Sequence, residues 1–198
     1  MEIIIHRQNT LKELMLLPKT YGLEIDIRSR GSRLILQHDP FKDGECFIEW
    51  IKQYQHGTLI LNLKEEGLES NLIDIMSDQG IENYFFLDQS FPFLLKFSEV
   101  CQGRSAVRVS EFESIDTAIR LAGKIKWVWI DCFSTFPLGI EHIKELKLLG
   151  YKLCLVSPEL HGRNATDEIV MLMNSFSKSN IFFDAVCTKY PHFWETKK

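Results

Sequence analysis

Residues 2–27 decide the fold. They run Glu2-Ile3-Ile4-Ile5-His6-Arg7, then a polar and apolar mixture over 10–21, then Leu23-Glu24-Ile25-Asp26-Ile27. The first and last pieces are isoleucine-rich and short, as strands are. Between them, Thr10 reads as an N-cap, with Glu13 three residues on completing a capping box. The helix it opens is expected over 10–21, closed by Gly22. Strand, helix and strand in so few residues make a βαβ unit, and such a crossover joins parallel strands.

The same alternation continues outward. Arg30-Gly31-Ser32-Arg33 reads as a turn, and Leu34-Ile35-Leu36 as a short return strand that delivers His38-Asp39. Further strands are expected at 58–64, 84–88, 106–109, 127–131, 152–156 and 184–187. Helices are expected at 46–54, 70–79, 92–101, 116–122, 140–149 and 166–176. Eight strands alternating with helices imply an α/β protein, a compact (β/α)8 TIM barrel formed by 1–198 as a single domain. An open doubly wound sheet is the alternative arrangement.

The bulk numbers bound the function. At 198 residues with 45% hydrophobic and 25% charged content, the chain suits one globular domain. A net charge of −4 argues against a nucleic-acid partner, which basic surfaces serve. No apolar run is long enough for a membrane span, and Ile3-Ile4-Ile5 is too short for a signal-peptide core. The five cysteines are odd in number and form no CxxC pair. A reducing, cytoplasmic location is therefore expected.

The polar residues of the strands share parity and gather at the strands' C-terminal ends. His6 closes the first strand, and Glu24, Asp26 and Arg28 share one face of the second. Asn62 and Lys64 share one side of the third. Asp88, Arg108, Asp131 and then Glu159 with His161 follow at later strand ends. In (β/α)8 enzymes the active site lies at that end. Two carboxylates on one side of one strand repel each other unless a cation neutralises them.

These residues resemble the glycerophosphodiester phosphodiesterase family, among the barrel phosphodiesterases that include phosphatidylinositol-specific phospholipase C. The family pattern is met by His6-Arg7-Gln8, Asn9-Thr10, Glu24-Ile25-Asp26 and His38-Asp39-Pro40 over roughly the first 65 residues. The stretch Ser157-Pro158-Glu159-Leu160-His161-Gly162-Arg163 is similar to a segment of small bacterial members. The resemblance implies a hydrolase of a small polar phosphodiester, glycerol-phosphate or sugar-phosphate in type. Glu24, Asp26 and Asn62 would hold a divalent ion, Mg²⁺ or Ca²⁺. His6 and His38 would be the acid–base pair. Arg7, Lys64, Arg108, Glu159 and His161 would contact phosphate or substrate, and the substrate's own hydroxyl is often the nucleophile in the family.

Two positions depart from the pattern. Asn62 stands where the family has a glutamate ligand, and Gln8 stands where it has glycine. Glu65 lies on the wrong strand parity to replace the missing carboxylate, which leaves Glu159 or Asp131 as alternatives. A catalytically weakened barrel that binds a phosphorylated ligand or partner is the competing reading. A lyase releasing a cyclic phosphate is a third.

Overall fold

The computed structural model describes residues 1–195, so the last three residues of the 1–198 reading lie outside the described residues. In chain order the elements are β1 (Glu2–Ile5), α1 (Leu11–Leu16), β2 (Gly22–Arg30), β3 (Arg33–Leu36), β4 (Glu45–Cys46), α2 (Phe47–Ile51) and β5 (Leu59–Leu63). There follow α3 (Glu69–Asp78), β6 (Tyr84–Leu87), α4 (Phe91–Phe97), β7 (Ala106–Val109), α5 (Ile115–Arg120), β8 (Trp127–Ile130) and α6 (Ile140–Leu148). The chain ends with β9 (Lys152–Val156), a 3-10 turn (Pro158–His161), α7 (Ala165–Lys178), β10 (Ala185–Thr188) and α8 (Pro191–Trp194). The α/β class is as expected, and each expected strand forms.

The capping box on α1 also forms, with the Glu13 N–H donating to Thr10 Oγ1 and the Thr10 N–H donating to Glu13 Oε2. The helix stops well short of Tyr21. Pro18 disfavours helical backbone in the residue before it, and Leu17 is extended at φ −86° and ψ 144°.

The chain divides into two compact units, Met1–Ile5 with Ala106–Lys198, and His6–Ser105. In the His6–Ser105 unit, β2 lies parallel to β5 and β5 parallel to β6. On the other side of β2, β3 returns antiparallel, and β4 pairs antiparallel with β3. The β2–β5 register sets Asp26 beside Asn62, which places the polar positions of the two strands together. Alternation does the rest: Leu23, Ile25 and Ile27 are buried, yet so are Glu24 and Asp26 between them. Burial on both faces is what a parallel strand covered by helices requires.

Gly44 fixes the loop that leaves β3. A Cβ there would come 2.2 Å from the Leu36 carbonyl oxygen, so only glycine allows this approach. In the other unit, β1, β10, β9, β8 and β7 pair in that order, all parallel. Ile4, Val128, Ile130, Leu153, Leu155 and Val186 are fully or almost fully buried there. The five cysteines are free thiols, Cys46 half-buried and the others buried. Among the described residues no helix is long and apolar enough to cross a membrane.

Candidate active site

In the His6–Ser105 unit the polar side chains of β2 and β5 meet the segment that opens it. Glu24 and Asp26 are both fully buried. The Arg7 amide donates to Glu24 Oε2 at 2.6 Å, and the Asn62 side-chain amide donates to Glu24 Oε1 at 2.7 Å. His6 Nε2 stands 3.8 Å from Glu24 Oε2. Asp26 Oδ2 accepts from the Asn9 side chain at 2.8 Å, and Arg7 Nε lies 3.3 Å from the same oxygen. Asn9 closes the clasp by accepting from the Asp26 amide at 2.9 Å.

Lys64 supplies the second cation. Its Nζ donates to Asn62 Oδ1 at 2.7 Å and lies 3.3 Å from Asp26 Oδ1 and 3.2 Å from Asp88 Oδ2. These neighbours fix the Asn62 amide, because only one orientation gives Glu24 a donor and Lys64 an acceptor. Asp26 Oδ1 is buried and receives no hydrogen bond, although Lys64 is within ion-pair reach.

The electrostatics follow from this crowding. Burial, and then the Asp26 charge beside it, push the Glu24 carboxyl up to about 7; bonds from Asn62 and Arg7 and the Lys64 charge pull the other way. Glu24 is thus poised between its two protonation states near neutrality.

Gln8, which departs from the family pattern, turns back toward His6. Its side chain folds back onto the His6 carbonyl at 2.8 Å, and its amide bonds the Glu24 carbonyl at 2.8 Å. Arg7 takes the left-handed conformation, φ 55°, at a cost of order 1 kcal/mol for a non-glycine residue. The short bond from its amide to Glu24 offsets that cost.

His38 Nδ1 bonds Asp39 Oδ1 at 2.8 Å, and Arg28 grips the His38 carbonyl with Nε at 3.1 Å and Nη2 at 2.9 Å. Bonds from His38 and Lys42 hold the Asp39 carboxyl down at about 2, so it stays ionised and orients the ring. The imidazole is 40% exposed, leaving Nε2 as the nitrogen that can work. A cleft of about 340 Å³ opens beside Lys64, lined among others by Glu66, Glu69, Asp88 and Ser90. Glu65 turns to the Ser29 amide at 2.9 Å, in keeping with its opposite parity.

The remaining expected residues lie in the other unit. The buried Asp131 stands 3.1 Å from Arg108 Nε and 2.8 Å from His161 Nε2. Glu159 accepts from the Ser157 and Thr188 hydroxyls and from the Lys189 amide at 2.9 Å. Trp194 Nε1 donates to Ser157 Oγ at 2.9 Å. The Glu159 carboxylate therefore ties the end of β10 and α8 to the 3-10 turn.

Sequence reasoning did not find the clasp by Asn9 on Asp26, nor Asp88 on Lys64. The Asn9 signal was there, an asparagine one residue before the helix cap. Asp88 at a strand end has φ 60°, a backbone feature that sequence does not display.

A divalent ion is the group the sequence resemblance implies. Among the described residues, no cluster of three or more His, Cys, Asp or Glu side chains is arranged to hold a metal. The smaller set of Glu24, Asp26 and Asn62 nonetheless fits a hard cation. All its donors are oxygens, and Asp26 Oδ1 is a buried acceptor with no hydrogen-bond donor.

No family model matches the chain. No curated protein matches it either. Solved structures do. A glycerophosphodiester phosphodiesterase from Agrobacterium tumefaciens superposes with TM-score 0.67 at 10% identity, covering 98% of both chains. One from Parabacteroides distasonis gives TM-score 0.62 at 14% identity, covering 97% of this chain and 84% of that one. The tryptophan synthase alpha-subunit of Pyrococcus furiosus gives TM-score 0.57 at 13% identity, covering 94% and 86%. At such identities the likeness is one of fold. That likeness of fold covers nearly the whole chain.

Proposed function

We propose that this chain is a phosphodiesterase acting on a small polar phosphodiester of the glycerol-phosphate or sugar-phosphate type. It would carry that activity in the cytoplasm, on a single closed (β/α)8 barrel domain. One observation supports the reading above others. Two fully buried carboxylates on one strand face, Glu24 and Asp26, are bracketed by two cations, Arg7 and Lys64, with His6 beside them. Likeness of fold to two glycerophosphodiester phosphodiesterases adds weight.

In this reading Arg7 and Lys64 bind the phosphoryl oxygens. Arg7 is half-exposed, so it can exchange Asp26 for phosphate at little cost. One imidazole of the His6/His38 pair takes the proton of the substrate's attacking hydroxyl while the other protonates the departing alkoxide, which gives a cyclic phosphate; water then opens the ring with the two roles exchanged and gives the phosphomonoester. Asp39 holds the His38 ring, and Glu24 holds the His6–Arg7 segment. Glu24, Asp26 and Asn62 would hold a Mg²⁺ or Ca²⁺ ion. When bound, that ion supplies positive charge to the phosphoryl group and relieves the repulsion between the carboxylates. Lys64 competes for the same oxygens, and Asn62 contributes no charge, so the affinity is expected to be modest.

Phosphorus NMR of the protein with a glycerophosphodiester tests the proposal. The expected products are a phosphomonoester and a free alcohol. His6→Ala and His38→Ala should each lower the rate about 10²- to 10⁴-fold with unchanged melting. A cyclic phosphate that persists would make it a lyase. No product with either ion would leave a barrel that binds a phosphorylated ligand, the reading that Asn62 favours.

A further inference from the structure

A second cavity in the His6–Ser105 unit, of about 270 Å³, lies away from the carboxylate pair. Met76, Ile81, Tyr84 and Val100 are among its apolar walls, and Glu82 and Arg104 among its polar ones. It opens where α3 ends and β6 begins. The β5–β6 register sets Tyr84 level with Leu59, and Leu87 level with Asn62. Three residues along a strand separate the two levels by about 10 Å, with the cavity at the N-terminal ends and Asn62 toward the C-terminal ends.

The walls are held by the backbone. Gly80, at φ 66°, donates its N–H to the Ser77 carbonyl at 3.0 Å, and the Ile81 N–H donates to the Met76 carbonyl at 2.9 Å. Such a double closure draws the residue after the glycine back onto the last helical turn. It accounts for Ile81 and for the fully buried Met76. It does not account for the charges. The Arg104 guanidinium lies 5.2 Å from the centre of the Tyr84 ring, and the Arg104 N–H donates to the Cys101 carbonyl at 3.0 Å. Among the described residues Arg104 has no carboxylate partner and Glu82 no cationic one. A pair serving stability would have met across so small a space. Val100, 62% exposed, adds an apolar wall that no side chain covers fully.

The ligand's chemistry follows from these pieces. A guanidinium resting on a ring face keeps N–H groups at its edge for a carboxylate. Glu82 is an acceptor for an ammonium, and it repels an anion that carries no positive charge of its own. The volume is just under the roughly 300–1,000 Å³ of ordinary ligand pockets, so the occupant is small. Opposite charges that share an apolar cavity without pairing suit a zwitterion with a short hydrocarbon branch. We propose that this cavity binds a free α-amino acid with an aliphatic side chain, its carboxylate on Arg104, its ammonium on Glu82 and its side chain against Met76, Ile81 and Val100.

Calorimetry on the intact chain tests this, with L-leucine as the probe. The controls are 4-methylpentanoate, which lacks the ammonium, 3-methylbutylamine, which lacks the carboxylate, and inorganic phosphate. Saturable binding of leucine is expected, at least five-fold tighter than that of any control. It should weaken at least ten-fold in Arg104→Gln and in Glu82→Gln. Glu82 is exposed, so its variant keeps the fold, and both variants should hydrolyse phosphodiesters as the wild type does. Three results would overturn the proposal: no binding of leucine, binding indifferent to both variants, or a control that binds as tightly as leucine. Binding is read without turnover, so the outcome does not depend on the phosphodiesterase reading.

Discussion

The two units treat buried carboxylates in opposite ways. Asp131 and Glu159 sit singly, and each has its oxygens matched: Asp131 by Arg108 and His161, Glu159 by two hydroxyls and an amide. Glu24 and Asp26 share one face of β2. Burial, and then the neighbouring charge, lift the Glu24 carboxyl to about 7, and one oxygen of Asp26 has no hydrogen-bond donor. A fold seeking only stability would replace one of the pair, since like charges in a dry interior cost more than they return. The difference separates carboxylates that position and tether from a crowded pair, which the proposed function assigns to a cation and an anionic substrate.

That contrast is open to attack at four points, in order of expected size. The first is pH. Unfolded, Glu24 titrates near 4.5; folded, near 7, so between these values the folded state binds more protons. Its contribution to stability is therefore full below about 4.5 and falls as pH rises through about 7, by ~3 kcal/mol in all. Urea unfolding in EDTA at pH 5 and pH 8 should show this loss, and Glu24→Gln should flatten it. Equal slopes in the two proteins would remove the strain from the account.

The second point is Asn62→Glu, which adds a third carboxylate beside the pair. It should tighten Mg²⁺ or Ca²⁺ binding by calorimetry roughly ten-fold, ~1.4 kcal/mol. Without metal it should lower the melting temperature. Unchanged affinity would place Asn62 outside the ion's shell.

The third lies in the other unit. Trp194→Phe removes the bond to Ser157 and should cost about 1 kcal/mol by chemical denaturation, with turnover unaffected. Lost turnover would mean that the Glu159 network does more than tether. The smallest effect is at the surface: Lys144→Ala breaks an exposed pair with Glu141 and should change stability by less than ~0.5 kcal/mol.

Much of this was legible in the chain. Strand parity alone put Glu24, Asp26, Asn62 and Lys64 on one side, and the β2–β5 register bears that out. It also set Glu65 apart, and Glu65 indeed turns to Ser29. The capping box marked where α1 begins. Its early end follows from Pro18, which disfavours helical backbone at Leu17. The short elements β4 and α8 and the 3-10 turn were not legible, because each is too short for a periodicity to show. The Asp131–His161 pair joins residues 30 apart. Both stood out as strand-end polar groups, but which would meet which is decided by loop paths that no local pattern records. The link from Trp194 through Ser157 to Glu159 is hidden for the same reason.

The most direct test of the central claim is hydrolysis of a chromogenic phosphodiester by the wild type and His6→Ala. Each is assayed in EDTA and then with added Mg²⁺ or Ca²⁺. The account predicts turnover that the added ion restores in the wild type and that His6→Ala loses under every condition. Equal turnover in both proteins, or turnover indifferent to EDTA, would contradict it.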